Sequence, residues 1–419
     1  MRPWGWAREG RANLRSLGYF NFRGNLKGLF TPPRINHYRA LDGLRAISIL
    51  WVIGFHCVFF VSNTNLDLAI ALRNDPLLAW LKFGFRGVDI FFVISGFIIS
   101  HILMKEHKAS NNISLKSFYL RRALRLLPAY YVSLVLYGWL DPVPIHNVWA
   151  NFLYVNNFLP IEQQFMGWAW SLAIEEQFYI VFPVALILLM RVDARYRLPA
   201  LVAAVLVAVA IYSSLLATST CPVPPPFESI NSDLFLCYFN TLYDKFHTRF
   251  GSLLMGVVVA YLHHHTHAVR FLDARPLLRT LLLVLAFLVL VPALGIFETD
   301  GPGVFSTYFA FNYFYLFSLG IAYIILFTLT EGGKGSLVVK MLSSRVWYPF
   351  AQLSYSTYLV HPTLIMAAYL TVLKPTQISA PAALVVGIGL AVASFAAAGV
   401  LYLVVERPVM DARSRYVPG

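Results

Sequence analysis

Ten long apolar stretches, separated by short polar connections, fill the chain at about 41–61, 84–103, 123–140, 168–190, 197–217, 248–263, 276–297, 303–329, 347–370 and 381–405. A helix needs roughly 20 mostly apolar residues to cross a hydrocarbon core. No strand-period alternation or internal repeat competes with that reading. The pattern predicts an all-α polytopic membrane protein of about ten transmembrane helices. The sixth stretch is short, which suits a tilted helix or one continued by polar residues at its ends.

Lys and Arg sort the connections into two sets. If the N-terminus is cytoplasmic and the stretches alternate, 25 of the 33 basic residues fall on the cytoplasmic side. Only 5 fall opposite (Arg73, Lys82, Lys245, Arg249 and Lys374), and Arg45, Arg86 and Arg125 lie within spans. Short cytoplasmic loops carry the excess of Lys and Arg, so both termini are predicted inside, most simply at a bacterial inner membrane. Composition agrees, with 58% hydrophobic and 13% charged residues, against about 25% charged in soluble domains.

The net charge of +13 then reads as topological signal. Nucleic-acid binding, the other common meaning of a basic chain, does not suit cations dispersed over short loops. The segment 1–36 is basic and carries Trp4, Trp6, Tyr19, Phe20 and Phe22, a mixture suited to a headgroup surface. It lacks a continuous apolar h-region and so does not read as a cleavable signal. Residues 37–408 are expected to form the membrane domain, and 409–419 a short cytoplasmic tail. Cys221 and Cys237 share the outer connection 218–247, where a disulfide is allowed. His263, His264, His265 and His267 cluster at a cytoplasmic helix end and read as a solvated face, so no metal is expected.

Ionisable residues inside a bilayer are expensive and mark functional candidates. In the first stretch, Arg45 and His56 are three turns apart, about 16 Å along one stripe. Arg45 lies toward the cytoplasm and His56 in the outer half, where a helix-bridging hydrogen bond is the bland reading. In the second, Arg86 and Asp89 are spaced to neutralise each other, and Ser95 and Gly96 permit close approach by a helix or ligand. Arg121, Arg122 and Arg125 share one face ahead of Pro128, and guanidinium forks suit phosphate oxygens. In the fourth, Trp168, Ser171, Glu175 and Phe178 share a face while Glu176 points about 100° away. Glu175 at the depth of His56 could orient an imidazole. Tyr358 and His361 share a face of the ninth stretch. Glu406 reads as a helix stop or interhelical ion pair.

These segments resemble the acyltransferase 3 family of integral-membrane acyltransferases. The likeness rests on Leu41-Asp-Gly-Leu-Arg45 with His56 downstream, Gly87-Val-Asp-Ile-Phe-Phe-Val-Ile-Ser-Gly-Phe97, and Phe118-Tyr-Leu-Arg-Arg-Ala-Leu-Arg125. Trp170-Ser-Leu-Ala-Ile-Glu-Glu-Gln-Phe-Tyr179, Thr248-Arg-Phe with Gly256, Ser354-Tyr-Ser-Thr-Tyr-Leu-Val-His361 and Glu406-Arg-Pro408 complete it. The resemblance covers about 38–408. It implies transfer of an acyl group, most often acetyl, from cytoplasmic acyl-CoA to a hydroxyl of a glycan, lipid or small molecule. It implies His56 as the catalytic residue and matches Glu175 to the family's tryptophan-serine-leucine motif. Residue placement adds the expectation that His56, oriented by Glu175 or Asp89, acts as a general base. Arg45, Arg121, Arg122, Arg125 and Ser95 are then the donor-site candidates, and Trp170, Tyr358 and His361 the substrate-site candidates. Some family members carry an extracytoplasmic esterase-like domain; here such a partner would be a separate protein. A transporter is the main alternative, since membrane acids and histidines also build proton relays, but paired inverted repeats are not evident. A non-catalytic protein on the same scaffold is a further one.

Overall fold

A computed structural model of the protein describes residues 22–33, 38–62, 75, 78–140, 145–221, 233–294, 304–369 and 380–416. Wherever they are described, the apolar stretches named above are helical, and the described residues contain no strand. The helices are α1 (Arg39–Ser62), α2 (Gly87–Ser110), α3 (Leu115–Leu140), α4 (Trp170–Arg191), α5 (Ala194–Thr218), α6 (Phe246–His265), α7 (Pro276–Leu290), α8 (Val304–Leu329), α9 (Trp347–Ala368) and α10 (Ala380–Leu401). Five helical stretches among the described residues are long and apolar enough to cross a membrane. Val202, Leu206 and Val207 on α5, Leu277 and Leu288 on α7, and Val385 and Ile388 on α10 face outward and are exposed. Such apolar outer faces suit lipid, and the chain is a membrane protein.

Several edges differ from the periodicity, each for a local reason. A 3₁₀ segment, Ala79–Arg86, leads into α2, which continues to an αL cap at Asn111. Helix α3 begins at Leu115, so Arg121 and Arg122 lie within it and not ahead of it. Helix α7 ends before Pro292, and its last turn tightens to 3₁₀ over Val291–Leu294. The proline lacks the N–H that the helix would need there. Helix α10 passes into a π-helical turn, Tyr402–Glu406, and then a final helix, Arg407–Tyr416.

The core pair is α2 against α6, the most extensively packed helices of the fold. A Cβ at Gly96 would overlap the Leu253 carbonyl, and one at Gly256 the Val93 carbonyl. Only glycine permits this backbone approach, the device by which small residues pack membrane helices without a hydrophobic driving force. Around this pair, α1 packs on α9, α9 on α10, and α6 on α5 and α8. Most of the N-terminal segment 1–36 and the connection 222–232 lie outside the described residues. Phe22–Leu29 forms a short helix whose Leu29 packs with Leu353, Tyr402 and Leu403.

Candidate functional site

Two cavities lie within the bundle and share Val88 and Tyr358 as lining. The larger, about 350 Å³, contains His56 in a wall of aromatic rings that includes Phe55, Phe85, Trp170, Phe239 and Tyr243. The smaller, about 100 Å³, is lined by Arg45, Arg122, Arg125, Ser95, Glu175 and Glu406. Tyr358 sits between them. Its hydroxyl lies 2.6 Å from Ser171 Oγ and donates to the Trp168 carbonyl at 3.0 Å, so the Ser171 hydroxyl donates to it.

His56 is held by a second imidazole. His361 Nδ1 lies 2.9 Å from the Thr357 carbonyl and 3.0 Å from that of Tyr358. The Tyr358 carbonyl is available because the residue four positions on is Pro362, which has no N–H to offer it. Carbonyls only accept, so a neutral His361 carries its proton on Nδ1 and presents a lone pair at Nε2. That lone pair lies 3.1 Å from His56 Nδ1, which is also 2.9 Å from the Val52 carbonyl. Both neighbours are acceptors, so His56 Nδ1 is the protonated nitrogen. The unprotonated Nε2 therefore belongs to the ring that lines the cavity, while His361 is fully buried.

Neither carboxylate expected to orient His56 reaches it. Glu175 instead accepts from Ser95 Oγ at 2.8 Å and from the Tyr179 hydroxyl at 3.3 Å, within the arginine cavity. Asp89 is fully buried and pairs with Arg249 at 2.9 Å and Arg86 at 3.5 Å. Two arginines satisfy its charge, which a buried carboxylate requires. Arg249, counted above among outer-loop cations, is itself buried inside α6, its guanidinium 4.0 Å from the Phe314 ring centroid. Arg121 turns away from the cavity to Glu106 at 3.6 Å. His361, expected at the substrate, contacts His56 instead, whereas Trp170 and Tyr358 do line the large cavity.

Some residues take places in the site that the sequence pattern does not give them. Glu406 accepts from Ser356 Oγ at 2.8 Å and lines the arginine cavity, delivered there by the π-helical turn. A second π-helical turn, Phe239–Tyr243, brings Phe239 and Tyr243 to the large cavity. Such turns recur at functional sites, but their sequences look helical. The connection carrying the second turn is closed by a disulfide between Cys221 and Cys237. At the cavity rim Gln164 donates to Asp244 at 2.8 Å. Burial pushes the Asp244 carboxyl up to about 6, although Lys245 and Gln164 favour its charged form.

The helical bundle thus holds a cavity lined by His56 beside a cavity lined by three arginines. Residues 38–403 match the family model described as an acyltransferase domain, the acyltransferase 3 family. The chain belongs to that family. It is similar to a Staphylococcus aureus (strain COL) protein with a provisional O-acetyltransferase name, 36% identical over 56% of this chain and 36% of the relative. Peptidoglycan O-acetyltransferase OatA of Listeria monocytogenes is 34% identical over 36% of this chain and 24% of its own length. A Bacillus subtilis protein, YrhL, provisionally named a peptidoglycan O-acetyltransferase, is 32% identical over 44% of this chain and 30% of its own length. The chain thus spans about a third of the length of the curated relatives it matches. No solved structure matches it.

Proposed function

We propose that this chain is a membrane O-acyltransferase that moves an acyl group, acetyl first, from acyl-CoA to a hydroxyl of a glycan such as peptidoglycan. The single observation that carries this is the pairing of the two cavities: one holds His56 with a free Nε2, the other three arginines, and one tyrosine lies between. Family membership and the relatives' names support the acyl chemistry and the acceptor class. In this reading ten helices span a bacterial inner membrane with both termini cytoplasmic, the arginine cavity faces the cytoplasm, and the His56 cavity faces outward.

The donor fit follows from charge and size. Arg45, Arg122 and Arg125 outnumber Glu175 and Glu406 even with both acids ionised, so the cavity favours an anion, and guanidinium forks bind phosphate oxygens bidentately. Its volume is well below the roughly 300–1,000 Å³ of ordinary small-molecule sites. It would therefore hold only the phosphate and arm of the donor, with the nucleotide outside. The arm would carry the thioester past Tyr358 to His56. His56 Nε2 takes the proton from the acceptor hydroxyl as that oxygen attacks the thioester carbonyl. The C–S bond then breaks, and the imidazolium returns its proton to the departing thiolate. Trp170 and the other rings give the acceptor flat apolar faces to lie against.

General-base assistance is worth about 10²–10⁴-fold. Labelled acetyl transfer in membranes carrying the wild type or His56→Ala, at matched protein levels, tests the proposal. Label in glycan that falls by that factor in the variant supports it. Equal labelling by both would remove His56 from the chemistry.

A further inference from the structure

The cytoplasmic ends of α2 and α6 carry a cluster of imidazoles that the acyl-transfer reading leaves unused. His101 comes from α2, and His263 and His264 from the last turn of α6. One nitrogen from each ring lies within 4.8 Å of the others. His264 Nε2 and His101 Nδ1 are 2.8 Å apart, and the His101 and His263 rings stack with centroids 6.1 Å apart. His263 Nδ1 is buried and makes no hydrogen bond among the described residues. The periodicity pointed to His263 and His264 only as a solvated helix end, because His101 lies more than 160 residues away.

We infer that His101, His263 and His264 form a binding site for a borderline divalent transition metal such as Zn²⁺ or Ni²⁺. Neutral imidazole is the favoured ligand of these ions. Nitrogens bound to one tetrahedral zinc at about 2.0–2.1 Å sit about 3.3 Å apart, so the His101–His264 pair at 2.8 Å needs only a small separation to reach ligand spacing. The ion would replace that hydrogen bond and draw in the third nitrogen, with water completing the shell. Because the three rings come from the two most closely packed helices, the metal would clamp the cytoplasmic end of the same pair that Gly96 and Gly256 join further along. Lys105, Lys108 and Lys334 line the adjoining open cavity with His101 and His264, so an anion is the competing ligand, and it would not need His263.

The test uses the full chain, purified in detergent with a histidine-free affinity tag and dialysed against ZnCl₂. Bound metal is measured by plasma mass spectrometry and affinity by competition with a fluorescent zinc chelator. One zinc per chain is expected, with at least a tenfold weaker Kd in His101→Ala and in His263→Ala and an unchanged Kd in His265→Ala. Circular dichroism and gel filtration establish that each variant is folded, and His264→Gln provides a milder second lesion. Failure of the wild type to retain zinc, or zinc affinity in His101→Ala and His263→Ala unchanged from the wild type, would overturn the site. Phosphate binding that survives His263→Ala but falls in Lys108→Ala, with no zinc retained, would reassign the cavity to an anion.

Discussion

The two cavities are made of opposite materials. Around His56 the wall is mostly aromatic; around Arg122 it carries three arginines and two glutamates among apolar side chains. Val88 and Tyr358 are the lining they share. In the proposed reaction the difference would separate two tasks that a single pocket would set in conflict. A water-poor cavity suits a neutral base and a reactive ester, whereas phosphate recognition needs guanidinium groups held near countercharges. In the aromatic cavity a second imidazole sets the tautomer of His56, while in the charged cavity Ser95 and Tyr179 donate to Glu175 and Ser356 donates to Glu406.

Asp89 provides the largest expected effect that would break this comparison. It lines neither cavity and pairs with Arg249 and Arg86. Asp89→Ala leaves buried guanidinium groups without their acid, a lesion worth about 3–5 kcal/mol. Thermal denaturation should show it as a large loss of folded protein. Normal stability with lost transfer would return Asp89 to the chemistry.

Arg122→Ala acts on the charged cavity alone. Loss of a charged hydrogen bond costs about 1.5–3 kcal/mol, so the KM for acyl-CoA should rise about 10–100-fold with kcat less affected. Arg122→Lys should recover only part of it, since an ammonium lacks the planar fork. A pure kcat effect would contradict donor binding. His361→Leu sharpens the other side. Losing the hydrogen bond that sets the His56 tautomer should lower kcat about tenfold, equivalent to about 1.4 kcal/mol, with donor KM unchanged. His361→Gln, which can still accept, should restore part of the rate. Steady-state kinetics on matched preparations separate these cases.

Much of this was legible in the chain. Hydrophobic periodicity located the helices, and the depth of the ionisable residues separated Arg45 from His56 on a single stripe. The arginines at 122 and 125 and the tyrosine at 358 were found because helical spacing is local. What stayed hidden was pairing between distant segments. His361 lies 305 positions from His56, and Arg249 lies 160 from Asp89. Spacing along one helix cannot show which residue of another helix lies opposite. Glu175 shows the same limit: depth along its helix suggests His56 as its partner, whereas Ser95 and Tyr179 donate to it. Glu406 reads only as a helix stop or ion pair, because a π-helical turn changes the direction of a side chain without a distinctive composition.

The central claim is that binding and chemistry occupy separate cavities, and crossing two variants against two readouts tests it most directly. Acyl-CoA affinity, by equilibrium binding in nanodiscs, and labelled transfer would be measured for the wild type, His56→Ala and Arg122→Ala. The account predicts that His56→Ala binds donor like the wild type while transfer falls about 10²–10⁴-fold, and that Arg122→Ala loses both affinity and transfer at low donor. Equal loss of donor affinity in His56→Ala and Arg122→Ala would contradict it, because both residues would then serve one binding site.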